Sequence, residues 1–308
     1  MLAISTLWNA LKQPDGAALF DELKALGFET IELSQHLTHE QVEQLKPLLR
    51  EKPPCSIHNF CPSPNLSQPP TPGNRAPGSR RHELVHLASL NTDERKEAIR
   101  RTVRTMELAV ELEVPIVVLH LGEVDTYDRS YLLEALYDYG EREFEAFSKK
   151  VTEATEWRKR KQAKHRDAVF RSLDELNERA LRMHLHIAIE NRPRYYQIPN
   201  FDEVGLFFQE FYGSPMRYWH DVAHAAMQEC LGLCRAASWL EAYAAHLIGV
   251  NLHDLQGIEA YHLPGTGDLD WDEVFAQVPA DVVKVLEIQH GEARAVREAR
   301  EFCQTYLS

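Results

Sequence analysis

The strongest constraint in this sequence is an alternation. Short runs of apolar and β-branched residues recur at 2–6, 29–33, 55–59, 116–121, 185–190, 216–221, 248–253 and 282–288. Amphipathic stretches of helical period separate them, at 17–26, 38–50, 92–112, about 131–183, 202–211, 224–233 continuing to 245, 271–277 and 293–306. Parallel strands need a crossover between neighbours, and a crossover helix must bury its apolar stripe on the sheet. The alternation therefore predicts an α/β fold, and eight repeats is the number that closes a (β/α)8 TIM barrel. An open doubly wound sheet is the competing topology. It would carry a G-x-G-x-x-G after the first strand, which is missing here, and would gather its polar residues at one crossover rather than at many strand ends. Local signals agree with the helix limits: Thr38 with Gln41, Asp270 with Glu273, and Thr92 followed by Asp93 and Glu94.

A barrel of this kind takes about 250 residues, and the chain has 308. Two long connections account for the surplus of a single domain spanning 1–308. The first, 60–91, is rich in proline and glycine and is expected as a surface loop over the barrel mouth. The second, 122–183, enlarges the link between the fourth and fifth strands and is expected to hold two helices, one projecting from the barrel. It is also where contact with a second copy in a homo-oligomer would fall.

With 34 Lys and Arg against 47 Asp and Glu, the net charge is -13. That balance argues against nucleic acid as a partner held by phosphate neutralisation, and against attraction to anionic membranes. No run approaches the roughly 20 apolar residues of a membrane span. The opening residues lack a basic leader, so a cytoplasmic location is expected. Five cysteines (Cys55, Cys61, Cys230, Cys234, Cys303) without a C-x-x-C pair suit a reducing compartment. Cys230 and Cys234, a helical turn apart, are expected as small buried side chains. The segment 149–166 holds eight basic and two acidic residues, distributed around the helix without a single stripe, and is expected as a solvated face.

In a barrel the active site lies at the C-terminal ends of the strands. Here the third strand ends in His58, the fourth in His120, the fifth in Glu190, the sixth in Asp221, the seventh in His253 and the eighth in Glu287, and Glu32 lies near the end of the second. Such side chains converge on one cavity, where unpaired carboxylates repel and call for a cation. Asp221-Val-Ala-His224 places an imidazole where strand turns into helix. His253-Asp254 is followed by a glycine-containing loop that would return His262 over the mouth.

At these residues the chain resembles the xylose isomerase-like barrel superfamily, which contains sugar isomerases and epimerases and the endonuclease IV group. The carriers are Ser56-Ile-His58, Val118-Leu-His120-Leu-Gly122, Ala188-Ile-Glu190-Asn191, Asp221-Val-Ala-His224, His253-Asp254 with His262-Leu-Pro264-Gly265-Thr-Gly267, and Leu286-Glu287. The resemblance implies one divalent cation, Mn2+, Mg2+, Co2+ or Zn2+, held by Glu190, Asp221, His253 and Glu287. It also implies that Glu190 and Glu287 are catalytic, removing and returning a proton next to a carbonyl in a small sugar-like substrate. His58, Arg192, His224 and Asp254 would bind substrate hydroxyls. The endonuclease IV group adds metal ligands at positions matching His58, His120, His224 and His262, but has an aspartate where this chain has Ala260. The leading expectation is a metal-dependent isomerase or epimerase. The alternatives are an endonuclease IV-like multinuclear hydrolase of abasic DNA and a non-catalytic sugar-binding barrel.

Overall fold

The structure, a computed structural model, describes residues 1–63, 85–126, 128–140 and 145–307. Eight parallel strands close a barrel: β1 (Leu2–Ser5), β2 (Thr30–Leu33), β3 (Ser56–His58), β4 (Ile116–Leu119), β5 (His186–Glu190), β6 (Met216–Asp221), β7 (Leu247–Leu252) and β8 (Val283–Leu286). Each pairs with its successor in the chain, and β8 closes on β1 with Leu2 opposite Lys284 and Ile4 opposite Leu286. All eight fall within a residue or two of the expected runs. Most of the proline-rich segment, 64–84, lies outside the described residues, and with it the expected covering of the mouth.

The helices are α1 (Gly16–Ala25), α2 (His39–Leu49), α3 (Thr92–Glu111), α4 (Ser130–Asp138), α5 (Glu145–Met183), α6 (Phe201–Glu210), α7 (Val222–Cys230), α8 (Ala236–Tyr243), α9 (Trp271–Gln277) and α10 (Ala293–Gln304). Thr38 and Gln41 form a reciprocal capping box at the start of α2, and Asp270 caps α9 through the Glu273 amide. Asn91, rather than Thr92, caps α3, because its carboxamide oxygen reaches two free amides of the first turn. The expected continuous helix at 224–245 is two helices. Gly232, at φ +67°, takes the left-handed conformation that ends α7 before α8 begins.

The enlarged 122–183 connection holds α4 and the 39-residue α5, which at 1.5 Å per residue runs about 58 Å. Its second half packs on the barrel through Val169, Leu173, Leu176 and Ala180, while its first half joins α4 in a satellite core with Leu133, Phe147, Val151, Tyr195 and Tyr196. The basic segment is less solvated than its composition suggests. Arg158 is buried and donates to Glu203 at 2.6 Å, and Lys161 donates to the Asp125 carbonyl. Cys230 and Cys234 are half-buried rather than buried. Among the described residues no helix is long and apolar enough to cross a membrane.

Inside the barrel an apolar floor lies beneath the strand ends. It is built from Ala3, Val118, Ala188, Trp219 and Val285. Trp219 fits because Gly249 faces it: a Cβ at Gly249 would meet the indole ring at 2.1 Å. The indole N–H donates to Asn251 Oδ1 at 2.8 Å, so the floor is tied to the polar layer above it.

Candidate functional site

The polar layer sits where the eight strands end. Glu190 and Asp221 are the last residues of β5 and β6, His58 the last of β3, and His120, His253 and Glu287 the first beyond β4, β7 and β8. All of these except half-buried His120 are buried, as is Glu32 of β2. Among the described residues, oxygens of Glu190, Asp221 and Glu287 lie within 4.8 Å of one another, as do ligand atoms of Asp221, His224 and His253, of His58, His120 and Glu190, and of Glu32, His58 and Glu287.

Each carboxylate is aimed by specific neighbours. Asp221 doubles as the N-cap of α7: its Oδ1 accepts the His224 amide at 2.8 Å, which turns Oδ2 toward His253 Nε2 at 2.9 Å. Asn191, the first residue beyond β5, clamps the same residue, accepting the Asp221 amide at 2.7 Å and donating to its carbonyl at 2.9 Å. Asn251 donates to Glu287 Oε2 at 2.9 Å and reaches Glu190 Oε1 at 3.5 Å, bridging the two glutamates from below. Arg192 bonds Glu190 and also lies 2.7 Å from His120 Nε2, which is itself 2.7 Å from Glu190 Oε2, so the three side chains meet at one point.

These contacts divide the charges. Burial alone would raise Glu190, but the Arg192 guanidinium and His120 hold its carboxyl well below the usual range. Burial likewise opposes ionisation of Asp221, yet the charges of His224 and His253 and the His253 hydrogen bond keep it low. Glu287 goes the other way: burial, then the charges of Glu190 and Asp221, push it well above a normal carboxyl. Burial also raises Glu32 to about 8, against the hydrogen bonds of Ser56 and Ser5, and lowers His58 to about 3 and His224 to about 4.

The structure gathers His58, His120, Glu190, Asp221, His224, His253 and Glu287 into one cluster, with Arg192 against it. Two expected participants stand apart. Asp254 is fully buried and its carboxylate accepts the amides of Leu255, Gly265, Gly267 and Leu269 and the Trp271 indole N–H. It is thereby turned into the 254–271 loop rather than toward a substrate. His262 pairs with Asp254 across a short hairpin (Asp254–Gln256 with Glu259–His262) and joins none of the described ligand groups.

That hairpin brings in Tyr261, which the strand-end pattern did not single out. Its ring stacks on His253 at 4.6 Å between centroids, its hydroxyl is 3.4 Å from His224 Nε2, and its amide donates to His253 Nδ1 at 3.0 Å. With Nδ1 accepting, the proton of a neutral His253 lies on Nε2, directed at Asp221. To bind a metal, His253 has to give up one of these two bonds. Asn251 also escaped notice, although its same-face spacing from His253 on β7 was a usable signal.

A family model of xylose isomerase-like TIM barrels matches residues 20–306. The chain belongs to that family. A search of curated protein sequences returned no match. Among solved structures, a D-tagatose 3-epimerase-like protein is similar at 17% identity and TM-score 0.68, over 99% of this chain and 96% of that one. The 3-keto-D-glucoside 4-epimerase YcjR from E. coli is similar at 18% identity and TM-score 0.66, over 99% and 98% of the two chains. The IolI protein with a bound zinc atom is similar at 15% identity and TM-score 0.63, over 100% and 98%. At these identities the likenesses speak for the fold.

Proposed function

We propose that this protein is a divalent-metal-dependent isomerase or epimerase of a small sugar or polyhydroxylated carbonyl compound. The observation that carries this reading is the buried set of Glu190, Asp221 and Glu287, with oxygens within 4.8 Å of one another. Three carboxylates so close cannot all ionise in a low-dielectric site against the single charge of Arg192, and Glu287, pushed well above a normal carboxyl by burial and then by the charges of Glu190 and Asp221, carries that conflict. His253, on Asp221, completes a mixed oxygen and nitrogen donor set suited to Mn2+, Mg2+, Co2+ or Zn2+. A divalent ion bound there would polarise a substrate carbonyl and offset the carboxylate charge.

The chain's own residues supply the proton chemistry. Glu190, held ionised by Arg192 and His120, removes the proton from the carbon beside the carbonyl. Glu287, the carboxylate at the end of β8, would take a proton from solvent and deliver it to that carbon, while Glu190 gives up its own to solvent. A glutamate in water, with a pKa of about 4.3, is a feeble base for such a carbon. Here its burial removes competing water, and Asn251 holds both carboxylates in fixed orientation. His58, Arg192 and His224 line the cluster and donate or accept hydrogen bonds with substrate hydroxyls. The names of the similar structures, a tagatose 3-epimerase-like protein and a ketoglucoside 4-epimerase, agree with this substrate class.

The grouping of His58, His120 and Glu190 favours a second reading, the multinuclear hydrolase of abasic DNA. Against it, the Arg192 guanidinium already bonds the very atoms of His120 and Glu190 that would ligate a further cation, and His262 joins none of the ligand groups among the described residues. Solvent-hydrogen exchange separates the readings. The metal-loaded protein should exchange a carbon-bound hydrogen of a ketose, and both Glu190→Gln and Glu287→Gln should abolish that exchange. Intact exchange in both variants, or nicking of an abasic duplex without exchange, would sink the proposal.

A further inference from the structure

We propose that a cavity on the outer side of the barrel wall, behind Asp221, binds a small organic cation through its N–H groups, an alkylammonium being the simplest case. Side chains alternate along β6, so Trp219 points into the barrel while Tyr218 and His220 point out toward the helices. His220 lines a cavity of about 210 Å³ bounded by α7, α8 and α9. The cavity shares no lining residue with the cluster at the mouth, and the proposal does not rest on the metal-dependent reading above.

The hydrogen bonds behind His220 decide what it can offer. The Asp221 amide donates to Asn191 Oδ1, and Asn191 Nδ2 donates to the Asp221 carbonyl, so the carboxamide has one orientation. Its oxygen also accepts the Tyr218 hydroxyl at 3.1 Å. A phenol has one proton to donate. Tyr218 therefore accepts at its 2.9 Å contact with His220 Nδ1. A neutral imidazole that donates from Nδ1 keeps a lone pair on Nε2. His220 is 3% exposed, and among the described residues its Nε2 makes no hydrogen bond. Buried polar atoms are nearly always satisfied, and this one is left as an acceptor in the wall of a cavity.

The charge around the cavity selects the same kind of ligand. Glu229, Asp268, Asp270 and Glu273 line it, all of them exposed, against the single guanidinium of Arg235. Arg235 is turned to Glu241, 3.9 Å away. The four carboxylates accept hydrogen bonds from amide groups of Ala236, Gly257, Glu273 and Gln277, and among the described residues none of them forms an ion pair. Much of the remaining wall is apolar, with Val222, Ala225, Leu240, Leu269 and Val274. A ligand with N–H donors, positive charge and a short hydrocarbon body meets all three features. The volume, below the roughly 300 Å³ at which drug-sized pockets begin, limits that body to a few heavy atoms. A bare metal ion is not favoured, because His220 joins none of the described ligand groups.

Titration with n-butylammonium chloride near neutral pH, followed through the ring nitrogen resonances of isotope-labelled histidine, tests this. One ring resonance should shift saturably, with a Kd of about 1–10 mM, and the same resonance should be missing from His220→Phe. Ala237→Leu, which fills the cavity without touching the Tyr218 and Asn191 bonds, should abolish the titration. Glu273→Lys should weaken binding about threefold to tenfold. Tetramethylammonium, of equal charge without an N–H, and butyrate should each bind at least about tenfold more weakly than butylammonium. Cooperative thermal unfolding confirms that each variant is folded; if His220→Phe is not, Ala237→Leu and the two control ions still decide. Tetramethylammonium binding as tightly as butylammonium, butyrate binding more tightly, unchanged affinity in Ala237→Leu, or no saturation by about 100 mM would each overturn the proposal.

Discussion

Replacing Asp254 with asparagine should cost stability rather than substrate affinity. Its Oδ1 accepts the amides of Leu255 at 2.8 Å and Leu269 at 3.1 Å, and its Oδ2 accepts those of Gly265 at 2.9 Å and Gly267 at 3.0 Å with the Trp271 indole at 2.9 Å. An asparagine keeps one oxygen. Even if it faces the three-donor side, the Leu255 and Leu269 amides are left against an NH2 group. Hydrogen bonds to a charged acceptor contribute about 1.5–3 kcal/mol each, and a buried donor left unpaired costs about the same again. The expected loss is therefore about 3–5 kcal/mol, a large share of the stability of an ordinary domain. Urea unfolding of wild type and Asp254→Asn measures it through the shift in midpoint at constant slope. The loop carries Tyr261 onto His253, so near-ultraviolet dichroism of the folded variant should change as well. A variant within about 0.5 kcal/mol of wild type whose KM nonetheless rises several-fold would refute this account and return Asp254 to the substrate.

Two further perturbations follow from the same layer. Divalent-metal affinity should rise with pH: in the metal-free protein burial and the charges of Glu190 and Asp221 keep a proton on Glu287, and a cation must displace it. Below the raised pKa the gain is about tenfold per pH unit for each proton released, read by titration calorimetry in buffers of different ionisation heat; a flat profile between about pH 6 and 8 would count against it. Gly249→Ala should destabilise by about 1–3 kcal/mol or more, because its Cβ would meet the Trp219 ring at 2.1 Å. Denaturation followed by tryptophan fluorescence checks this, and an unchanged midpoint would mean that the floor is looser than the packing indicates.

The strands were legible because a fully buried parallel strand must be apolar through its length, so the runs at 116–121 and 185–190 stand out against amphipathic flanks. Their polar ends were legible too, since an acidic or imidazole side chain at the end of such a run has few places to go but the barrel mouth. Helix starts with side-chain caps, such as Thr38 and Asp270, were equally readable. The break between α7 and α8 was harder, because one glycine in the left-handed conformation ends a helix that the hydrophobic period would have carried on.

Within the site, local sequence could not separate residues of like chemistry. Asp254 and Glu32 are both acids near strand ends. One is surrounded by five N–H donors, four of them from 11 to 17 residues later in the chain, and the other is met by Ser56 and His58 from the neighbouring strand. Arg192 reads in sequence as one more polar residue after β5, and Tyr261 as part of a loop. The alternation of buried runs, turn chemistry and strand-end acids determined by itself that this chain closes a barrel and turns a ring of carboxylates and imidazoles to one end. Only the tertiary structure decided which of those groups are spent on the protein's own amides and which are left facing one another at the barrel mouth, because that depends on donors contributed by segments distant in the chain.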